Sequence, residues 1–64
     1  MQAIDSDGVE ILVGDVVERT DPPHRQGIVT HITEYSDRTI GVHVDEAPNV
    51  HANYSPSLLR HANR

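Results

Sequence analysis

Short segments rich in β-branched residues alternate with turn-forming residues along the whole chain. Glycine, proline, aspartate and asparagine recur at intervals of roughly 8–12 residues, and the segments between them alternate apolar and polar side chains. A period of two is typical of strands that bury one face, and no segment has the periodicity of a long helix. The sequence therefore predicts an all-β fold with one domain, residues 1–64.

The two longest strand candidates form a predicted central hairpin. They are residues 27–35 and 39–44, joined by the loop Ser36-Asp37-Arg38. A three-residue loop places Ile32 opposite Val42 on the buried face. The same register places His31 opposite His43 on the other face. Arg38 must then adopt the left-handed backbone conformation that closes such a loop. Arginine is unusual in that conformation, so a longer loop, which would move the register by two, is the alternative.

Proline and glycine set the remaining connections. Gly8 supplies the left-handed residue of a first hairpin, and Pro22-Pro23 turns the following connection into a loop because proline has no N–H. Ser55 as N-cap followed by Pro56 predicts one helical turn. The other predicted strands cover residues 3–5, 9–12, 16–19, 50–54 and 58–60.

The apolar positions of these strands form a predicted aliphatic core. Its members are Ile4, Val9, Ile11, Val13, Val17, Ile28, Ile32, Ile40, Val42, Val44 and either Leu58 or Leu59. Short, bent strands with a helical turn before the last one predict a small five-stranded barrel, closed or nearly closed. Closure would remove the edges that so small a sheet otherwise exposes.

The order of these elements resembles the KOW-type branch of SH3-like barrels. The resemblance covers about half the chain. It rests on Gly14-Asp15-x-Val17, Gly27-x-Val29-x-x-Ile32 and Ile40-x-Val42-x-Val44, and on the ending Tyr54-x-Pro56-x-x-Leu59. It implies a five-stranded SH3-like barrel with one helical turn before the last strand. In such folds the glycine after the loop, here Gly27, lets the strand start where the neighbouring backbone is close or where φ is positive.

KOW modules are associated with RNA, ribosome or transcription-machinery contacts, and the charge of this chain departs from that pattern. Ten acidic residues, five arginines and no lysine give a net charge of −5, whereas nucleic-acid binders cluster basic residues. The chain also lacks the tryptophan and the acidic-aromatic loop with which eukaryotic SH3 domains hold proline-rich peptides. We therefore expect a non-catalytic protein-binding module, or self-association through an unpaired strand edge.

Two alternatives remain open at this stage. A KOW-like nucleic-acid or ribonucleoprotein binder would use four of the five arginines, and these would need to converge on one face: Arg19, Arg25, Arg38 and Arg60. An acidic mimic of nucleic acid would need its carboxylates aligned in phosphate-like rows.

The predicted contact surface is the stiff, polar loop after the third strand. It consists of Asp21, Pro22, Pro23, His24 and Arg25. Loops of this kind carry binding surfaces on small scaffolds, although a plain strand connection would have the same composition. Tyr35 is the predicted interface anchor, with core filling as the alternative role.

No catalytic residue, metal site or cofactor is predicted. The serines lie in turns or caps, where bonding to the backbone explains them. The histidines lack the close spacing of zinc sites, yet a His31–His43 pair could supply two ligands, with Glu34, Asp45 or another histidine as a third. The alternative for that pair is a solvated outer face. We therefore expect no enzyme activity.

Cysteine is absent, and no apolar run approaches the ~18–20 residues of a membrane span. We expect a soluble, cytoplasmic protein without a membrane partner. Arginine without lysine points to a GC-rich coding genome, such as that of a high-GC bacterium or its phage.

Overall fold

The computed structural model describes residues 2–46 and 49–62, and strands dominate both ranges. The strands are β1 (Ala3–Ile4), β2 (Glu10–Ile11), β3 (Val16–Arg19), β4 (Gln26–Glu34), β5 (Ile40–Glu46), β6 (Val50–Tyr54) and β7 (Leu59–His61). A 3₁₀ helix, Pro56–Leu58, precedes β7, with Ser55 as its N-cap residue. The predicted all-β class and the predicted helical turn are confirmed.

The strands form two antiparallel sheets. β1 and β2 make a two-stranded sheet, and the other strands make a five-stranded sheet in the order β6-β5-β4-β3-β7. Strands β6 and β7 are therefore the edges of the larger sheet. The sequence predicts a closing strand over residues 58–60 and a frayed end over residues 61–64, but β7 lies one residue later and includes His61. Asn63 and Arg64, also expected to fray, lie outside the described residues.

The predicted register of the central hairpin is confirmed. Ile32 pairs with Val42, and His31 pairs with His43. The Tyr35 amide donates to the Thr39 carbonyl at 2.8 Å and closes the three-residue loop. Arg38 has a φ of 68°, the left-handed conformation that this loop length requires.

A β-bulge at Thr30 reverses the two faces of β4. The register shifts between Val29 and His31, and the Thr30 hydroxyl donates to the His43 carbonyl at 3.2 Å. An extra residue on one strand moves every side chain before it to the opposite face. Val29 is consequently 1% exposed and Ile28 is 52% exposed, so the prediction of Ile28 as a core residue is wrong.

The core lies on the inner face of the five-stranded sheet, under the β1–β2 hairpin. Its buried members are Ala3, Ile11, Val17, Val29, Val42, Val44 and Leu59. Ile32, Ile40 and Tyr54 pack against them. Ile4 and Val13, both predicted to be buried, are exposed: Ala3 takes the inward position of β1, and Val13 lies in the turn before β3.

Gly8 and Gly27 are both at positions where a side chain would be unfavourable, as the sequence predicts. Gly8 has a φ of 82° in the turn of the first hairpin. Gly27 lies under β5, where an added Cβ would meet the Val44 side chain and would lie 2.9 Å from the Asp45 carbonyl oxygen. The close backbone approach predicted at Gly27 is thus present, and it lets β4 and β5 pack tightly at the start of β4.

Candidate functional site

The most tightly connected polar group in the described structure is a histidine held between two carboxylates. His61 Nδ1 lies 2.6 Å from Asp5 Oδ2, and His61 Nε2 lies 2.8 Å from Asp15 Oδ2. The Asp5 side chain is fully buried, and the exposed fractions of His61 and Asp15 are 14% and 30%. We call these three residues the Asp5–His61–Asp15 cluster. It joins β7 to the turns before and after β2.

The cluster holds the imidazole in its charged form. An ionised carboxylate only accepts hydrogen bonds, so both ring nitrogens must donate, as in the imidazolium. Burial alone would lower the pKa of His61, but the hydrogen bonds to Asp15 and Asp5 and their charges outweigh burial and raise the pKa above 6.5. The result is a partly buried, charge-assisted network of one cation and two anions.

Local turns hold the two carboxylates in place. Asp5 Oδ1 accepts the amides of Asp7 and Val9 at 2.9 and 2.8 Å, and Asp15 Oδ2 accepts the amide of Leu12 at 2.9 Å. Burial alone would raise the pKa of Asp5, but the bonds from Val9, His61 and Asp7 outweigh it and lower the pKa. For Asp15 the Leu12 amide is the main cause of a lowered pKa.

The sequence analysis missed this cluster. Asp5 and Asp15 flank the first hairpin, where an aspartate is explained by its turn alone. His61 is separated from Asp5 by 56 positions, and no local pattern links them. The available signal was the pair of aspartates beside the glycine turns, but their common partner appears only once β7 pairs with β3.

The opposite, outer face of the sheet carries a different set of histidines. Thr30, His31, His43, His51 and Asn53 line a groove of about 310 Å³ across β4, β5 and β6. The rings of His31 and His43 meet edge to face with centroids 6.1 Å apart. His43 Nε2 lies 3.2 Å from Thr33 Oγ1. Among the described residues, no group of three or more His, Cys, Asp or Glu side chains is placed to hold a metal ion.

The predicted contact loop is exposed throughout and internally bonded. All five residues from 21 to 25 are exposed. His24 Nδ1 lies 2.9 Å from the Arg19 carbonyl oxygen, and the Arg25 amide donates to the Pro23 carbonyl at 2.9 Å. The loop therefore presents polar groups to solvent in one defined conformation.

Tyr35 does not join that loop. It follows β4, whereas residues 21–25 lead into the start of β4, so the strand separates the two parts of the predicted contact surface. The Tyr35 ring covers Gly41, and its hydroxyl accepts a hydrogen bond from Asn53 Nδ2 at 2.7 Å. Tyr35 is 42% exposed, so it seals an outer-face glycine while it remains accessible.

The four arginines of the nucleic-acid alternative do not lie together. Arg25 precedes β4 and Arg38 follows it, so they lie at opposite ends of the strand. Arg19 lies 3.8 Å from Asp21, and Arg60 lies 3.6 Å from Glu18. The Arg19 guanidinium also stacks on the ring of Tyr54 at 5.5 Å from the ring centroid.

Tyr54 links this arginine to a buried carboxylate. Its hydroxyl donates to Glu46 Oε1 at 2.6 Å, and Glu46 is 3% exposed. The hydrogen bond to Glu46, with burial as the second cause, raises the pKa of Tyr54. Glu46 therefore has a structural partner on the inner face.

Comparison with models of known protein families and with curated protein sequences finds no match. In the described part of the chain, no helix is long and apolar enough to cross a membrane.

Proposed function

We propose that the chain is a non-catalytic, protein-binding module built on an SH3-like barrel, and that residues 21–25 are its contact surface. The observation that carries this proposal is the exposed loop itself, in which five consecutive residues face solvent while His24 and Arg25 bond back to the backbone. A loop that is ordered before binding loses less conformational entropy on binding than a flexible one.

The contact between Arg19 and Tyr54 supports the barrel. In the sheet order, β4 and β5 separate β3 from β6, which would hold their backbones about 14 Å apart in a flat sheet. Arg19 of β3 nevertheless stacks on Tyr54 of β6 across the inner face. Strong curling of the sheet brings such distant strands together, as in small barrels.

The placement of charges favours a protein over a nucleic acid as partner. Arg25 and Arg38 lie at opposite ends of β4, and Arg19 and Arg60 are each next to a carboxylate. Phosphate binding needs basic groups on one face. The acidic-mimic alternative is disfavoured as well, because three carboxylates already have internal partners: Asp5, Asp15 and Glu46.

The geometry of His61 supports a non-catalytic role. A histidine that acts as a general base needs one ring nitrogen free to accept a proton from the reacting group. Carboxylates occupy both ring nitrogens of His61. The most strongly positioned histidine of the described structure is thus committed to structural bonds.

Site-specific photo-crosslinking tests the proposal. A photoreactive amino acid replaces His24 in one variant and Asp37, an exposed residue of the central hairpin loop, in the matched control. In lysate of the source organism, we expect the variant at position 24 to yield one discrete protein adduct that the variant at position 37 does not give. With that protein purified, Arg25→Ala should weaken binding by about tenfold and Asp37→Ala should leave it unchanged, as measured by calorimetry.

Equal adducts from both positions, or equal affinities of both alanine variants, would contradict the assignment of the loop as the contact surface. A nuclease-sensitive adduct at position 24 would instead support the nucleic-acid alternative.

A further inference from the structure

The two edges of the five-stranded sheet are covered to different extents. At β7, the Ser6 amide of the β1–β2 turn donates to the Leu59 carbonyl at 2.9 Å, and the two-stranded hairpin lies beside this edge. At β6, the only strand partner within the described residues is β5. The backbone donors and acceptors on the outer edge of β6 therefore have no strand partner among the described residues, and Val50, His51 and Asn53 are exposed.

Strand β6 also lacks the features that protect natural edges. Its sequence, Val50-His51-Ala52-Asn53-Tyr54, has no proline, lysine or carboxylate. Its register with β5 is continuous from Val50 to Tyr54, without a bulge. An edge strand with these properties is a template for another strand.

We propose that a second copy of this chain pairs its own β6 with this edge, antiparallel and across a two-fold axis at Ala52. This register joins all five residues of each strand, and a shift by one pair in either direction shortens the ladder. The interface does not include residues 21–25, so its failure leaves the proposed function unaffected.

The side chains of β6 are complementary to themselves in this register. His51 meets Asn53 of the second copy on the outer face, and Val50 meets Tyr54 of the second copy on the inner face. Polar groups therefore face polar groups, and apolar groups face apolar groups. Val50 is 42% exposed in the single chain, and pairing would cover part of that apolar surface.

The net charge of −5 opposes the approach of two copies, whereas β6 itself carries no carboxylate. The two β6 strands therefore attract each other only at short distance, whereas the net charges of the two copies repel each other at long distance. Salt screens the long-range repulsion more than backbone hydrogen bonds at a short distance. We expect the dimer to become tighter as ionic strength rises.

Sedimentation equilibrium of the full chain, from micromolar to millimolar concentration and at low and high salt, tests the dimer. We expect a reversible monomer–dimer equilibrium that shifts toward dimer with salt, with concentration-dependent amide shifts at His51 and Asn53. A protein that stays monomeric at millimolar concentration in high salt overturns the proposal.

Two double variants at the same positions test the register. His51→Glu with Asn53→Glu places like charges opposite each other twice in the interface, whereas His51→Lys with Asn53→Glu places opposite charges there. We expect the first variant to dimerise at least about tenfold more weakly than the second. Both positions are exposed, and circular dichroism checks that each variant is folded. Equal dimerisation of the two folded variants overturns the proposed register.

Discussion

The two faces of the five-stranded sheet use histidine in opposite ways. On the inner face, His61 is 14% exposed and lies between Asp5 and Asp15, which bond to both ring nitrogens. On the outer face, His31 and His43 contact each other across the strands, and His51 has an 81% exposed side chain. The role of a histidine in this sheet therefore depends on the face on which its side chain lies, and on whether other parts of the chain cover that face.

The largest expected effect is the loss of the inner-face histidine. His61→Ala leaves two carboxylates, one of them fully buried, without their shared cation. We expect this substitution to lower the free energy of unfolding by about 3 kcal/mol, because a buried charge without its partner is strongly destabilising. Small domains have roughly 3–5 kcal/mol in total, so the variant should be largely unfolded at room temperature.

His43→Ala is the outer-face control for that substitution, and we expect it to cost less than about 1 kcal/mol. Urea unfolding followed by circular dichroism measures both. If both variants lost a similar free energy of unfolding, the inner-face histidine would be no more important for stability than the outer-face one.

A second contrast compares two glycines. An added Cβ at Gly27 would lie among Val44, Glu46 and the Asp45 carbonyl, whereas at Gly41 it would meet the exposed side chains of Tyr35 and Asn53. We expect Gly27→Ala to lower the free energy of unfolding by about 2 kcal/mol, because backbone cannot move aside. Gly41→Ala should cost about half as much, because both side chains can rotate outward. Urea midpoints of the two variants check this order, and the reverse order would contradict it.

The Asp5–His61–Asp15 cluster also predicts a pH dependence with two limits. The raised pKa of His61 contributes stability that is complete below 6.5 and is lost as pH rises through the raised value. The lowered pKa values of Asp5 and Asp15 contribute stability that is complete above 3.8 and is lost as pH falls through the lowered values. Their combined contribution is therefore greatest in mildly acidic solution.

Titration of the His61 ring by NMR measures the pH above which the cluster loses its contribution to stability. We expect a pKa above 6.5 in the wild-type chain and a lower pKa in Asp15→Asn, which replaces one anion by a neutral amide. Circular dichroism checks that Asp15→Asn is folded. A His61 pKa that does not respond to Asp15→Asn would show that the carboxylate does not stabilise the imidazolium.

The smallest expected effect concerns the outer-face pair. The rings of His31 and His43 meet edge to face across β4 and β5, on the outer face of the sheet. We expect His31→Ala to lower the free energy of unfolding by only a few tenths of a kcal/mol, because a cross-strand pair on a solvated face contributes little. Urea unfolding followed by circular dichroism measures this loss, and a loss above about 1 kcal/mol would contradict the weak contribution of the outer face.

The central hairpin shows where prediction from the sequence succeeds. Ser36-Asp37-Arg38 has the length of a common loop. The apolar alternation of both strands excludes registers shifted by one residue, and the loop length then selects the register that is observed from His31 to Glu34. Loop length and alternation are local properties, so they can be read along a few residues. The left-handed Arg38 follows from that register even though arginine is unusual there.

Strand β4 shows where the same reasoning fails. Alternation through Ile28, Thr30 and Ile32 is continuous in the sequence, yet the bulge at Thr30 puts Val29 in the core and Ile28 outside. The residues next to Thr30 in the sequence do not indicate whether this threonine pairs with β5 or forms a bulge. The close approach of β5 over Gly27 and the bond from Thr30 to the His43 carbonyl belong to the folded pair of strands.

The sequence by itself determined the all-β class, the order of the strands along the chain, the helical turn and the exposed proline loop. These depend on backbone preferences and on apolar periodicity, which act over a few neighbouring residues. Tertiary structure decided which face of β4 is buried, which edge of the sheet is covered, and the role of His61. The buried face of β4 depends on how β4 pairs with β5. The covered edge and the role of His61 depend on contacts between β7, β3 and the first hairpin, whose members lie up to 56 positions apart, and no local preference specifies such contacts.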